Sequence, residues 1–158
     1  QEFPEFNTSL DGDNLVYKKY FNIAFAADTP NGLVVPVVKD ADKKSVFDIA
    51  AETGSLAKLA RDGKLRASLQ MGAGFSISNI GPSDVDSFSA IISPPQTGIL
   101  SIGAVKPRPV VVGGELAVRR TVICTLSVDH AAADGADGAK FLRDIKKRVE
   151  SREFLDGV

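Results

Sequence analysis

The 158 residues contain one histidine, His130, followed four positions later by Asp134 and then by Gly135. An imidazole titrates near neutrality, so a well-placed histidine can take a proton from a thiol, whose ordinary pKa is about 8.5. A lone histidine can equally be a plain structural or surface residue. The spacing H-x-x-x-D-G leaves two roles open for Asp134: it supports the imidazole, or it caps a helix that begins at Gly135. Asp129, just before the histidine, reads as a structural hydrogen-bonding partner and not as a second base. The single cysteine, Cys124, lies inside an apolar run and reads as a small core residue, not a nucleophile. One cysteine excludes an internal disulfide, and one His with one Cys makes no transition-metal ligand set, so no metal is expected. Gly72 and Gly74 do not open a phosphate loop, because no G-K-[ST] follows them.

A strand-to-helix junction would hold such a histidine well. The strand fixes the backbone, and the helix N-terminus supplies free amide donors nearby. Residues 121–128 are β-rich and end at Asp129 and His130. Beyond Gly135, the stripe of Phe141, Leu142, Ile145 and Val149 predicts an amphipathic helix. Upstream, residues 1–14 read as the end of one element and a turn, with Pro4 and Asp11-Gly12-Asp13-Asn14 as breakers. Residues 15–27 predict one or two strands, and Asp28-Thr29-Pro30-Asn31-Gly32 a turn. The apolar run 33–38 predicts a strand buried on both faces, with Pro36 marking an edge or irregularity. Ser45 and Asp48 give an S-x-x-D helix start. Ile49, Thr53, Leu56 and Ala60 should face the core, with Gly63 as C-cap and Gly54 permitting close packing. GAGFSISNIG predicts a strand that ends in a loop at 79–84. Further strands are expected at 87–92 and 98–105, around Ser93-Pro94-Pro95-Gln96. The segments 110–112 and 115–118 flank Gly113-Gly114 as a hairpin. This order predicts an α+β fold, a two-layer sandwich with helices over one face of a mixed sheet.

Net charge is −1, from 19 basic and 20 acidic residues, so nothing drives binding to a polyanion. The basic run 143–152 alternates with Asp144 and Glu150 and reads as a solvated helix face, not a nucleic-acid surface. Hydrophobic residues make up 44% of the chain, enough for one core, and no apolar run reaches the roughly 20 residues of a membrane span. QEFPEFNTSLDGD is neither a signal peptide nor a basic transit peptide.

SVDHAAADGADGAKFL resembles the active-site segment of the dihydrolipoamide acyltransferases, the core enzymes of 2-oxo acid dehydrogenase complexes, whose signature is D-H-R-x-x-D-G. DTPNGLVVPVVKDADKKS, GAGFSISNIG and FSAIISPPQTGILSIGA resemble further family segments, in the family's order. The match runs from about Glu5 to Leu155. The resemblance implies a chloramphenicol acetyltransferase-like fold and a homotrimer, built into a larger cubic or dodecahedral core, with active sites between subunits. It implies coenzyme A and a lipoyl group on a lipoyl domain as the reacting partners. A 2-oxo acid dehydrogenase and a dihydrolipoamide dehydrogenase would be the neighbours, in a bacterial cytoplasm or a mitochondrial matrix. His130 would take the proton of the attacking thiol. Ser78 matches the serine that hydrogen-bonds the oxyanion from the neighbouring subunit, and Asp134 the residue that supports the site. DGADGAKFL looks most like the pyruvate-type enzymes, which implies an acetyl group.

Two departures stand out. Ala131 replaces the family's usual Arg, which reads as a structural ion-pairing residue of the loop. The chain is also short: residues 1–158 read as the C-terminal part of the catalytic domain, a fragment or natural truncation, with EFPEFNTSL leading into the first conserved Asn, Asn7. Both features admit an alternative, a catalytically weak structural relative in the same complex. An antibiotic acetyltransferase is a third reading, opposed by NGLVVPV and ISPPQTGILSIGA.

Overall fold

The computed structural model describes residues 2–151. Its frame is a five-stranded mixed sheet. The contributing strands are β3 (Ile23–Phe25), β6 (Val37–Val38), β7 (Phe75–Asn79), β8 (Gly98–Ile102) and β11 (Cys124–Val128), in the order β11-β8-β7-β3-β6. The pairs β3/β7 and β7/β8 are parallel, whereas β11/β8 and β3/β6 are antiparallel. Three two-stranded hairpins complete it: β1 (Thr8–Asp11) with β2 (Asn14–Tyr17), β4 (Ala27–Thr29) with β5 (Gly32–Val34), and β9 (Lys106–Val112) with β10 (Glu115–Thr121).

Two helices, α1 (Val46–Arg61) and α2 (Gly135–Glu150), lie on the sheet. The α1 start is a capping box: Ser45 Oγ accepts the Asp48 N–H at 3.1 Å, and the Asp48 carboxylate accepts the Ser45 N–H at 3.3 Å. The Ser45 hydroxyl also donates to the Asp48 carboxylate at 2.6 Å, and this bond, followed by that from the Ser45 N–H, holds the Asp48 carboxyl below its ordinary value. The helix buries Leu56 and Ala60 and half-buries Ile49 and Thr53, and it ends at Gly63 with φ of 66°. Gly54 differs from expectation. No atom lies within 4 Å of where its Cβ would stand, so it permits no close packing. Helix α2 lays Phe141, Leu142 and Ile145 on a cluster formed by Phe6, Phe75, Leu100 and Ala133. Phe141 stacks on Phe6 at 4.4 Å and meets Phe75 edge-on at 5.8 Å. Val149, expected on the same stripe, is 60% exposed, because it lies one turn past the residues that pack.

Strand boundaries moved where backbone bonding is not local. The first hairpin starts at Thr8, within the region read as a turn. The run 33–38 is split between β5 and β6 by Pro36, whose carbonyl accepts the Phe25 N–H at 3.0 Å. Residues 87–92 form no strand. They cross the sheet face that bears Ser101 and Ser127 as an extended strap. Ser127 Oγ donates to the Ala90 carbonyl at 2.9 Å, and Ser101 Oγ accepts the Ala90 N–H at 3.0 Å. The strap's backbone is thus satisfied by side-chain hydroxyls instead of a ladder. The β9/β10 hairpin is longer than expected. Gly113 and Gly114, with φ of 61° and 88°, form the two-residue turn, pairing Val112 with Glu115. That register makes Lys106, Arg108 and Val110 the bonded positions. Pro107 and Pro109 therefore point their missing N–H groups outward, where a strand tolerates proline.

Candidate active site

The end of β11 sets the geometry around His130. The Asp129 N–H donates to the Thr97 carbonyl at 2.9 Å, which carries the β11/β8 register one residue past Val128. The chain then turns. Asp129 Oδ1 accepts the Ala131 N–H at 2.9 Å, and the Asp129 carbonyl accepts the N–H groups of Ala132 and Ala133 at 2.9 and 3.2 Å. Asp129 is a structural hydrogen-bonding residue, as the sequence suggests, and its carboxylate's partner is a backbone amide. His130 is presented at the tip, exposed, and its imidazole makes no hydrogen bond to any described residue.

Of the two roles open to Asp134, the structure takes the cap. Its Oδ1 accepts the N–H of Ala136 at 2.8 Å and of Asp137 at 3.0 Å. Those two bonds, that from Asp137 leading, hold the carboxyl below its ordinary value of 3.8, and attraction to Lys140 and then to His130 adds to them. The carboxylate therefore bears on the histidine loop through the helix it starts, not by contact with the imidazole.

Ser78 is on β7, half-buried, and its hydroxyl has no partner among the described residues. It pairs laterally with Ser101. Asp129, just before His130, is bonded to Thr97, four residues back along β8 from Ser101, which is about 13 Å at the rise of a strand. One copy of the chain thus brings His130 and Asp134 together and leaves Ser78 toward the far end of the sheet.

Between the strap and the histidine loop lies a cavity of about 500 Å³, lined by Leu10, Ile91, Ile92, Pro94, Pro95, Ser127 and Asp129 among others. In the sequence, Pro94-Pro95 stands only as part of the break between two expected strands. Its place beside Asp129 depends on β8 and β11 being neighbours, which no local pattern announces. Cys124 packs against the α2 core cluster, and burial pushes its thiol up, the opposite of what a nucleophile needs. Among the described residues, no three His, Cys, Asp or Glu side chains gather as a metal-binding group.

Residues 1–155 match the family model of the 2-oxoacid dehydrogenases acyltransferase (catalytic domain). The chain belongs to this acyltransferase family. The chain is 54% identical, over 141 residues, to the dihydrolipoyllysine-residue acetyltransferase component of the pyruvate dehydrogenase complex of Cupriavidus necator, covering 89% of this chain and 26% of the relative. It is 45% identical to the dihydrolipoyllysine-residue succinyltransferase component of the 2-oxoglutarate dehydrogenase complex of Rickettsia typhi, covering 96% of this chain and 38% of that protein. It therefore spans between a quarter and two fifths of the length of these relatives. Among solved structures it superposes with a TM-score of 0.92 and 37% identity on the Azotobacter vinelandii dihydrolipoamide acetyltransferase, covering 96% of this chain and 63% of that one. That structure was solved to probe a serine, a histidine and an asparagine in the catalytic mechanism. The cubic core of a pyruvate dehydrogenase multienzyme complex matches at a TM-score of 0.92, 38% identity and the same coverage. Chloramphenicol acetyltransferase, at 16% identity and a TM-score of 0.52, shares the fold, as the α+β reading expected.

Proposed function

We propose that this acyltransferase moves an acetyl group between a dihydrolipoyl thiol, carried on a lipoyl domain, and coenzyme A. In this reading His130 is the general base, Ser78 the oxyanion donor and Asp134 the residue that seats the loop. The observation that carries it is the placement of two side chains that make no hydrogen bond among the described residues. His130 is exposed and Ser78 half-buried, and they lie toward opposite ends of one sheet. Such a pair forms one site only when a second copy brings its His130 to the Ser78 of the first. In the Azotobacter enzyme the serine precedes the histidine by 52 residues and the asparagine follows it by four, the same offsets as Ser78, His130 and Asp134. Asn and Asp both cap helices well, so the change at Asp134 keeps that role.

The chemistry is a thioester exchange. The His130 imidazole takes the proton of the incoming thiol, and the thiolate forms a carbon–sulfur bond to the acetyl carbonyl. The oxyanion accepts a hydrogen bond from Ser78 Oγ, an arrangement worth about 2.7–4 kcal/mol of barrier. Collapse breaks the other carbon–sulfur bond, and the departing thiolate takes the proton back from the imidazolium. Atoms and charge balance without a metal or an oxidant.

Acetyl is favoured over succinyl by the higher identity to the acetyltransferase relative, 54% against 45%. The match to a cubic core supports a homotrimer as the building block of a larger assembly, working beside 2-oxo acid dehydrogenase and dihydrolipoamide dehydrogenase subunits. The bacterial relatives support the bacterial cytoplasm as its location. The test is acetyl transfer from acetyl-coenzyme A to free dihydrolipoamide, for the wild type and His130→Ala. Turnover by the wild type, lowered roughly 10²–10⁴-fold in the variant, is expected for a general base. Equal rates for the two proteins would refute it. Succinyl-coenzyme A in the same assay tests the acyl group.

A further inference from the structure

We propose that Asp129 is the positioning residue that aims His130, an inference that rests on His130 being the base. The imidazole has no hydrogen bond among the described residues, so the backbone that carries it sets its place. That backbone is held from one residue. The Asp129 N–H is bonded to Thr97, its carboxylate holds the Ala131 N–H, and its carbonyl holds the N–H groups of Ala132 and Ala133. His130 is thus spanned by bonds that all begin at Asp129, before and after it.

The anchor beneath is rigid. Thr97 is fully buried, and its hydroxyl shares a 2.8 Å bond with the equally buried Thr8 hydroxyl and a 3.2 Å bond with the Glu5 carbonyl. Residues far apart in sequence therefore fix the strand end from which the histidine loop starts. Position 131 offers no help, because an alanine has no group to brace the loop. The Asp129 carboxylate does that work through the neighbouring amide instead. Asp134 cannot replace it, since its Oδ1 is engaged by the first turn of α2.

The carboxylate's task is to accept one N–H, and an amide oxygen does this equally well, since Asp and Asn both make this turn. A methyl group does not. Loss of the bond frees Ala131 and lets His130 wander, and a displacement of about 1 Å at a reacting group lowers turnover on the order of 100-fold.

Steady-state kinetics of Asp129→Ala and Asp129→Asn, with His130→Ala as control, read this directly. The expected result is a kcat lowered on the order of 100-fold in Asp129→Ala with KM nearly unchanged, and restored to near the wild-type level in Asp129→Asn. Full kcat in Asp129→Ala, or equal impairment in both variants, overturns the proposal. Hydrogen exchange of the Ala131 amide separates this outcome from failure of the proposed activity. Exchange should quicken in Asp129→Ala and stay slow in Asp129→Asn, whether or not the wild type turns over. Unchanged exchange in the alanine variant overturns the positioning role by itself, while slow wild-type turnover with the expected exchange pattern counts only against the acetyl-transfer reading. Circular dichroism confirms that both variants are folded.

Discussion

Ser78 and Ser101 face each other on adjacent parallel strands, and among the described residues only Ser101 uses its hydroxyl. Ser101 is 1% exposed and holds the strap at Ala90. If Ser78 is the oxyanion donor proposed above, the pair separates stability from catalysis at neighbouring positions. Ser101→Ala leaves the Ala90 N–H without its acceptor and should cost about 1–3 kcal/mol of stability in urea unfolding. Ser78→Ala removes no hydrogen bond among the described residues. It should unfold like the wild type and lower kcat about 10²–10³-fold in the acetyl-transfer assay.

Because His130 and Ser78 are apart within one copy, two inactive variants should rescue each other. Subunits of Ser78→Ala and His130→Ala, mixed in equal amounts and allowed to exchange, build some sites with an intact serine from one and an intact histidine from the other. Random assembly in a closed ring restores about a quarter of the wild-type activity. Mixing without any gain above the separate variants would argue that each site is built within one subunit.

The two helices were legible in the sequence because their signals are local. Ser45 and Asp48 lie within one turn of each other, and Leu56 and Ala60 recur at helical spacing, so no distant contact was needed to place α1. The same holds for Gly113-Gly114, whose left-handed backbone specifies the hairpin. The strap at 87–92 has strand composition but bonds to Ser101 and Ser127, which reach it only through the sheet order β11-β8-β7. The run 33–38 looked continuous by hydrophobicity, yet Pro36 lacks the N–H that would continue the ladder. His130 and Asp134 were found by spacing. Ser78 was found by resemblance alone, since a serine in an alternating strand has no distinguishing local feature, and its distance from His130 is a matter of register. Asp129's hold on Ala131 had a faint signal, an Asp before a turn, but nothing in the sequence indicated that Thr97 lies beneath it.

Acid should weaken the start of α2. The Asp134 carboxyl is held below 3.8 in the folded protein by the Asp137 and Ala136 amides, so its charged form is favoured by folding. The stabilisation is fully present above 3.8 and is lost as pH falls through the lower folded value. Asp134→Asn keeps the capping oxygen but carries no charge to lose. The wild type should be the more stable of the two at pH 7, and the gap between their urea midpoints should close as pH falls well below 3.8. A gap that is constant down to strong acid would mean that the carboxylate charge contributes nothing.

Two glycines make opposite predictions, because their surroundings differ and neither rests on sequence alone. At Gly103 an added Cβ collides with the backbone carbonyl of Asp86. Asp86 is tied to Lys106 at 2.8 Å and to Arg108 at 3.0 Å, and Arg108 also donates to the Thr121 carbonyl at 2.7 Å. The strap's entry therefore cannot retreat without breaking the base of the β9/β10 hairpin. Gly103→Ala should destabilise by about 1–3 kcal/mol, as overpacking does. Gly54 lies mid-helix with open space around it, so Gly54→Ala should stabilise α1 by about 0.8–1 kcal/mol, the helix-propensity difference. Urea midpoints of the two variants check both signs. A stabilised Gly103→Ala would mean that the strap is held less firmly against β8 than its ion pairs indicate, whereas an unchanged Gly54→Ala would point to a neighbour that this chain alone does not contain.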